Sequence, residues 1–527
     1  MRGSDSTEVH AAGSPSDLRL SSNDRLTGLV LTSKGGMPRS IKTSEIDPIR
    51  IVSVTPGPSF GRVGITFCPG KKDPDGGFAH WDRDLATDLD AIYAWGATTV
   101  ITLLEEHEFE MLNVPALGAE VRQRHMNWIH LPVRDLSVPN KTIEQEWQNL
   151  SEGIRATLRS GFLVVFHCRG GLGRAGTMAA RTLVELGFEP DQAIKVVRRV
   201  RPGAVQTNEQ EGFVQRGQLV PEHAPDVSLV AVEDRAIGAL LGLAVGDALG
   251  TTLEFKERDC SDLLVDMVGG GPFGLEPGQW TDDTAMALAL ADSLLENDDL
   301  DERDLMGRFV EWWRNGRYSC TSRCFDIGTT TKHSLDRWLK TNDPNSGSTD
   351  PSTAGNGSLM RLAPVAIRHW KDRHQLGDVA ARQSRTTHAA PEAIDACKGF
   401  ANILADAIAG KPRSEVLSTS SQGLSETIAS IIVGSWRGKH RSQIRSSGYV
   451  LHTLEAAIWS VARTTDFKSA VLLAANLGED ADTTAAVAGQ LAGALYGASG
   501  IPEAWRQKVA WSDKIQELAR RLAASGS

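Results

Sequence analysis

The 527-residue chain exceeds the roughly 250 to 300 residues at which single cores stop growing, so two domains are expected. Its 41% hydrophobic and 23% charged residues exclude a chain that is disordered throughout. A formal net charge of −10 argues against a surface built to bind nucleic acid, while leaving room for a local basic pocket around one phosphate.

Residues 1–25, rich in Ser, Asp, Gly and Asn without periodicity, read as an unstructured tail. From 26 to 225, strand-like runs (ATTVITLL, MNWIHLPV, GFLVVF) alternate with helix-like ones (DLATDLDAIYAWG, TIEQEWQNLSEGIRATLRSG, PDQAIKVVRRVRP). That alternation predicts an α/β domain with a mostly parallel sheet. GFLVVF predicts a buried strand and GRAGTMAARTLVELG a helix stopped by Gly187, which makes His167–Gly173 the strand-to-helix turn. Cys168 then sits at a helix N-terminus, where free N–H groups and the helix dipole favour anions, a thiolate and phosphate oxygens alike. Arg169, Gly170, Gly171, Leu172 and Gly173 form the cradle, and Arg174, six residues after the cysteine, offers a planar fork to two oxygens.

The His-Cys-x5-Arg spacing between strand and helix resembles the active-site loop of cysteine-dependent protein phosphatases. HCRGGLGRAG with AVQTNEQEGFV is more closely similar to the kinase-associated, cyclin-dependent-kinase-directed branch of the dual-specificity phosphatases, over residues 45–218. The resemblance implies a metal-free phosphocysteine mechanism on a phosphorylated protein or small phosphomonoester. Cys168 would be the nucleophile, Arg174 the phosphate clamp and Asp135 in HLPVRDLSVP the acid. Gln210 would position the hydrolytic water, with Gln206 as the alternative. Where the family often has Ser or Thr after the arginine, this chain has Ala175. The missing hydroxyl is expected to slow breakdown of the intermediate, and Thr177 is not expected to replace it. A half that mainly binds phosphate as a targeting module is the alternative.

PEHAPDVSLVAVE, with two prolines and several charges, sets the domain boundary near residue 226. Residues 226–527 change to alanine- and leucine-rich windows such as TAMALALADSLLE and LHTLEAAIWSVART, which predict an almost all-helical domain. No membrane span is expected, because even IGALLGLAVGDALG is interrupted by Gly242 and Asp247. Six sparse cysteines and no recognisable secretory signal suggest a reducing cytoplasm without disulfides. Cys320 and Cys324 lack a second pair, so no zinc site is expected.

QWTDDTAMALALADSLLE and GEDADTTAAVAGQLAG each set carboxylates and hydroxyls at a helix start. Such hard oxygen donors suit Mg²⁺ or Mn²⁺, although each cluster taken alone reads more readily as a helix cap. Five blocks in order, GALLGLAVGDALGTTLEF, GQWTDDTAMALALA, GNGSLMRLAPVA, TTHAAPEAIDAC and NLGEDADTTAAVAGQLAGALYG, resemble the ADP-ribosylglycohydrolase family. The last block is especially similar to the dinitrogenase-reductase-activating glycohydrolases.

This resemblance implies an all-α fold around two metal ions that cleaves the bond between ADP-ribose and an acceptor, with arginine favoured. The substrate would be an ADP-ribosylated protein or an ADP-ribose derivative. Thr281, Asp282, Asp283, Asp480, Asp482 and Thr483 match the metal ligands, and Glu479 is expected outside them. Asp247 and Glu254 lie in the motif where some members gate or activate the site with a glutamate; Glu254 is the candidate for that role. Asn356, Gly357, Ser358, Leu359, Met360 and His388 match residues near ADP-ribose. Hydrolysis through an oxocarbenium-like ribose carbon needs bound diol oxygens and an activated water, with an aspartate taking the proton.

Overall fold

The described residues of the computed structural model are 40–74 and 79–526; the expected tail at 1–25 lies outside them. The N-terminal domain is built on a five-stranded sheet of β1 (Val52–Val54), β2 (Val63–Phe67), β3 (Ala97–Thr102), β4 (Asn127–His130) and β5 (Leu163–Cys168). Its order is β1-β2-β5-β3-β4, and only the edge pair β1–β2 is antiparallel. The runs VGITF and LVVFHC can be apolar almost throughout because central parallel strands are covered on both faces. One face packs Trp147, Met178 and Phe213, the other Leu89, Ile92 and Leu112. Helix α1 (Lys141–Arg159), capped by Asn140, precedes β5, and α2 (Gly173–Glu185) follows it. The loop between β5 and α2 is therefore the predicted turn.

Residues 217–227 form neither helix nor strand. From there the regular elements among the described residues are helices, as expected of an ADP-ribosylglycohydrolase-like half. Three of them carry the site: α3 (Leu229–Gly250), α4 (Asp282–Glu296) and α5 (Ala481–Tyr496).

The region Leu229–Leu253 reaches a mean hydropathy of 1.6, so by length and composition α3 is apolar enough to cross a membrane. The sequence pattern had not suggested this, because Gly242 and Asp247 break the apolar run. In the fold, 94% of that window is buried, and its glycines serve helix contact. Gly238, Gly242, Gly246 and Gly250 recur every fourth residue and press on Gly493, Gly489, Ala485 and Ala481 of α5. A Cβ on any of the four would stand 2.1–2.3 Å from a carbonyl oxygen of α5. Backbone contact at that distance brings the carboxylates of the two helices together.

The two domains touch through several side chains. Phe162 stacks on Trp436 at 6.3 Å, Arg463 donates to the carbonyl of His125 at 2.7 Å, and Ser414 N–H donates to Glu222 at 3.0 Å.

Candidate active sites

Cys168 ends β5, and the first turn of α2 begins five residues later. Between them Gly171 takes φ +65°, and a Cβ there would lie 2.3 Å from the Thr66 carbonyl oxygen, so glycine alone fits. The Gly171 N–H donates to Cys168 Sγ at 3.2 Å, so this amide of the turn points at the sulfur. Arg201 braces the cradle from outside, donating to the carbonyls of Gly171 (3.0 Å) and Gly170 (2.9 Å). Arg169 turns its side chain away and pairs with Asp73 at 2.9 Å, leaving its backbone in the cradle.

Arg174 is buried. Its guanidinium donates to Glu108 Oε1 at 2.9 Å, to the carbonyls of Leu103 and Val133, and pairs with Asp135 at 3.1 Å. Arg174 Nε is buried without a partner. The structure thus brings Cys168, Arg174 and Asp135 to one place, with the Asp135 side chain 59% exposed at the mouth. A Cβ on Gly173 would stand 2.7 Å from Gln206 Oε1 and 3.0 Å from Gln210 Nε2, so both amides border the cradle. Gln210 is the buried one and donates to the Ser137 carbonyl at 3.0 Å. Ala175 is fully buried, and Thr177 spends its hydroxyl on the Gly173 carbonyl at 2.8 Å.

Glu108 and Arg201 were missed in the sequence reading. Glu108 sits among four acids in EEHEFE, and only tertiary burial marks it out.

In the C-terminal domain, Asp247 of α3 accepts four hydrogen bonds, from the N–H and hydroxyl of both Thr281 and Thr284, at 2.6–3.0 Å. It thereby fixes the start of α4. The Thr281 hydroxyl also stands 3.2 Å from Asp482 and 3.3 Å from Asp283. Carboxylate oxygens of Asp247, Asp283 and Asp482 come within 4.8 Å of one another, and those of Glu254, Asp480 and Asp482 do likewise. Thr483 reaches Asp283 at 3.5 Å, and Asn356 donates to Asp480 at 2.7 Å. Glu254 accepts from the N–H groups of Ala481 (2.8 Å) and Asp482 (3.2 Å).

So many buried acids raise one another. Burial, reinforced by the neighbouring carboxylates, pushes Asp282 and Asp283 well above the usual range. Asp480 and Asp482 rise to about 7, chiefly through burial. Asp283 Oδ1 is buried without a hydrogen-bond partner. An all-oxygen donor set with an orphaned carboxylate oxygen fits hard divalent cations, which would offset this repulsion.

The cluster opens on a cavity of about 590 Å³ lined by Glu254, Asp282, Asp480, Asp482 and Thr483. Of the residues expected near ADP-ribose, Asn356, Gly357, Met360 and His388 line it. Ser358 and Leu359 do not. The Ser358 hydroxyl bonds Ser384 at 2.8 Å, and Leu359 is in the core. His388 is buried against Thr387 at 2.9 Å and held down to about 3 by burial and Arg361. Glu479 lines the exposed edge, and Asp326, missed in the sequence reading, lines the opposite loop. Burial raises Asp326 to about 6.

Residues 228–527 match the model of the family described as ADP-ribosylglycohydrolase. Residues 79–214 match that described as Swiss Army Knife protein, DSP-PTPase phosphatase domain. An ADP-ribosylarginine hydrolase Tri1 of Pseudomonas putida (strain GB-1) is 51% identical over 292 residues, 55% of this chain and 78% of that protein. The ADP-ribosyl-[dinitrogen reductase] glycohydrolase of Rhodospirillum rubrum is 34% identical over 297 residues, 55% of this chain and 95% of that protein. A solved ADP-ribosylglycohydrolase-related protein complex is similar with a TM-score of 0.51 and 38% identity, covering 57% of this chain and 100% of that one. With more than half its length in that match, the chain belongs to the ADP-ribosylglycohydrolase family, and a DSP-PTPase-type phosphatase domain precedes its glycohydrolase domain.

Proposed function

We propose that the C-terminal domain hydrolyses the bond between ADP-ribose and an arginine side chain of a modified protein, in the cytoplasm. The observation that carries this reading is the convergence of Asp282, Asp480, Asp482 and Thr483 on one cavity, with Thr281 and Asp283 packed directly behind them, in a region of 292 residues that is 51% identical to an ADP-ribosylarginine hydrolase. These six residues would hold two Mg²⁺ or Mn²⁺ ions, which when bound supply Lewis acidity to ribose oxygens and water. The chain's own groups do the rest. Asp247 fixes Thr281 and the start of α4, Asn356 orients Asp480, and Glu254 ties its loop to the first turn of α5. Water adds to the anomeric carbon with its proton passing to a carboxylate of the cluster; the C–N bond breaks with its electron pair going to nitrogen, and the same proton is handed on to the leaving guanidine. The test is ADP-ribose release from an ADP-ribosyl-arginine protein with Mg²⁺, wild type against Asp480→Ala. Release by the wild type alone supports the reading, and none from an active preparation refutes the arginine linkage.

On the same reading the N-terminal domain hydrolyses phosphomonoesters. The Cys168 thiolate attacks phosphorus, the P–O ester bond breaks, and Asp135 protonates the leaving oxygen; water beside Gln210 then releases phosphate from sulfur. The clustering of Cys168, Arg174 and Asp135 supports it. Loss of phosphate release in Cys168→Ser is its test. Ala175, buried with no hydroxyl beside the cradle, favours a second reading in which this domain mainly retains phosphorylated targets. Multiple turnovers at an undiminished rate would refute that second reading.

A further inference from the structure

At the mouth of the glycohydrolase cavity, phenylalanines from three separate loops touch. Phe255 lines the cavity and is 67% exposed. Phe273 meets it nearly edge-on with ring centroids 6.2 Å apart, and Phe325 packs on Phe273 at 5.3 Å. An exposed aromatic beside an active site contributes little to a core, and this one is held at φ +61°, which is costly for a bulky side chain. Glu479 shares the strain at φ +59°. The two are locked together, Phe255 N–H donating to the Glu479 carbonyl at 2.8 Å and Glu479 N–H to the Lys256 carbonyl at 2.7 Å. A carboxylate and an aromatic face are thus presented side by side on rigid backbone.

The lining chemistry is one-sided. Among the described residues six acids line the cavity, Glu254, Asp282, Asp326, Glu479, Asp480 and Asp482, and no Lys or Arg does. Glu479 is the most exposed of the six, with Asp326 and Asp480 half-buried, so it is the carboxylate best placed to meet a group arriving from solvent.

We propose that Phe255, backed by Phe273 and Phe325, and Glu479 form the acceptor subsite, which reads the guanidinium of the ADP-ribosylated arginine while the ribose reaches the acidic floor. The inference rests on the arginine reading above and adds how the acceptor is told from others. A planar cation is attracted to an aromatic face and offers two parallel N–H donors to a carboxylate. A neutral serine linkage gains neither contact, and an anionic acceptor is repelled. Free ADP-ribose carries no guanidinium and on this proposal gains neither contact.

The test uses the full chain with Mg²⁺, comparing wild type, Phe255→Ala, Phe255→Tyr and Glu479→Gln on an ADP-ribosyl-arginine protein. Affinity for free ADP-ribose is measured by calorimetry alongside. Phe255→Ala and Glu479→Gln are each expected to raise KM about fivefold with kcat little changed, Phe255→Tyr to restore it, and ADP-ribose affinity to stay constant. Unchanged KM in both variants, or a parallel loss of ADP-ribose affinity, overturns the subsite while leaving the arginine reading standing. A wild type that cleaves a different linkage and ignores arginine overturns both.

Discussion

Gly242 of α3 and Gly489 of α5 face each other so closely that a Cβ on the first would stand 2.3 Å from the second's carbonyl oxygen, and one on the second 2.0 Å from the first's. Neither obstacle is a side chain that can swing aside. Gly242→Ala should therefore push the helices apart and destabilise the domain by about 1–3 kcal/mol, read as a lower urea midpoint. Gly307→Ala is the control: it lies in the helix Glu302–Asn315 with nothing within 4 Å of its Cβ position. It should be neutral or stabilising by up to about 1 kcal/mol.

Arg174 and Glu108 are both buried. Glu108→Ala leaves the guanidinium without its main partner and is expected to cost about 3–5 kcal/mol in the phosphatase domain. Glu108→Gln keeps the hydrogen-bond geometry and should cost less. Chemical denaturation of the two variants orders them, and equal stability would show that Arg174 finds another partner.

Ala175→Ser restores the hydroxyl at a position where the side chain already faces the interior. In rapid-mixing experiments it should shrink the burst of leaving group relative to the steady rate, because breakdown of the phosphocysteine speeds up. An unchanged ratio would place the slow step elsewhere.

Crowded carboxylates at the base of α4 and α5 make cation binding a stabilising event. At about 100 times its Kd, a divalent ion should add about 2.7 kcal/mol, seen as a higher melting temperature that a chelator reverses. Asp283→Asn should abolish most of that gain. It should also raise the melting temperature of the chelated protein, since folding no longer has to bury a carboxyl that desolvation and its acidic neighbours hold against ionisation.

His167 and His388 are held neutral, each lowered to about 3 mainly by burial. Below the ordinary histidine value of about 6.5 the unfolded chain takes up protons that the folded chain refuses, so stability falls as pH drops from there toward 3. Above that window their contribution is constant. His167→Gln should flatten the slope of unfolding free energy against pH between 4 and 6 by about 1.4 kcal/mol per pH unit. Parallel slopes would mean that His167 titrates normally.

Much of this was legible along the chain. Alternating strand and helix periods, the glycine-bearing turn after GFLVVF and the ordered blocks after residue 226 carry local signals, because turn conformation, helix capping and apolar periodicity depend on neighbours a few residues away. Cys168, Arg174, Asp282 and Asp480 stand out in sequence for that reason. The sequence alone determined the order of the two domains and both fold classes.

Only the tertiary structure decided which of many similar residues matter. Glu108 differs from its acidic neighbours by burial against an arginine 66 residues away, and Asp326 by the cavity its loop approaches. Ser358 and Leu359 share a motif with Asn356, yet helical packing turns them into the core. The glycines that make α3 resemble a broken apolar run are what let α5 come within backbone contact. Burial, orientation and charge proximity are sums over residues distant in the chain, and no local pattern contains them.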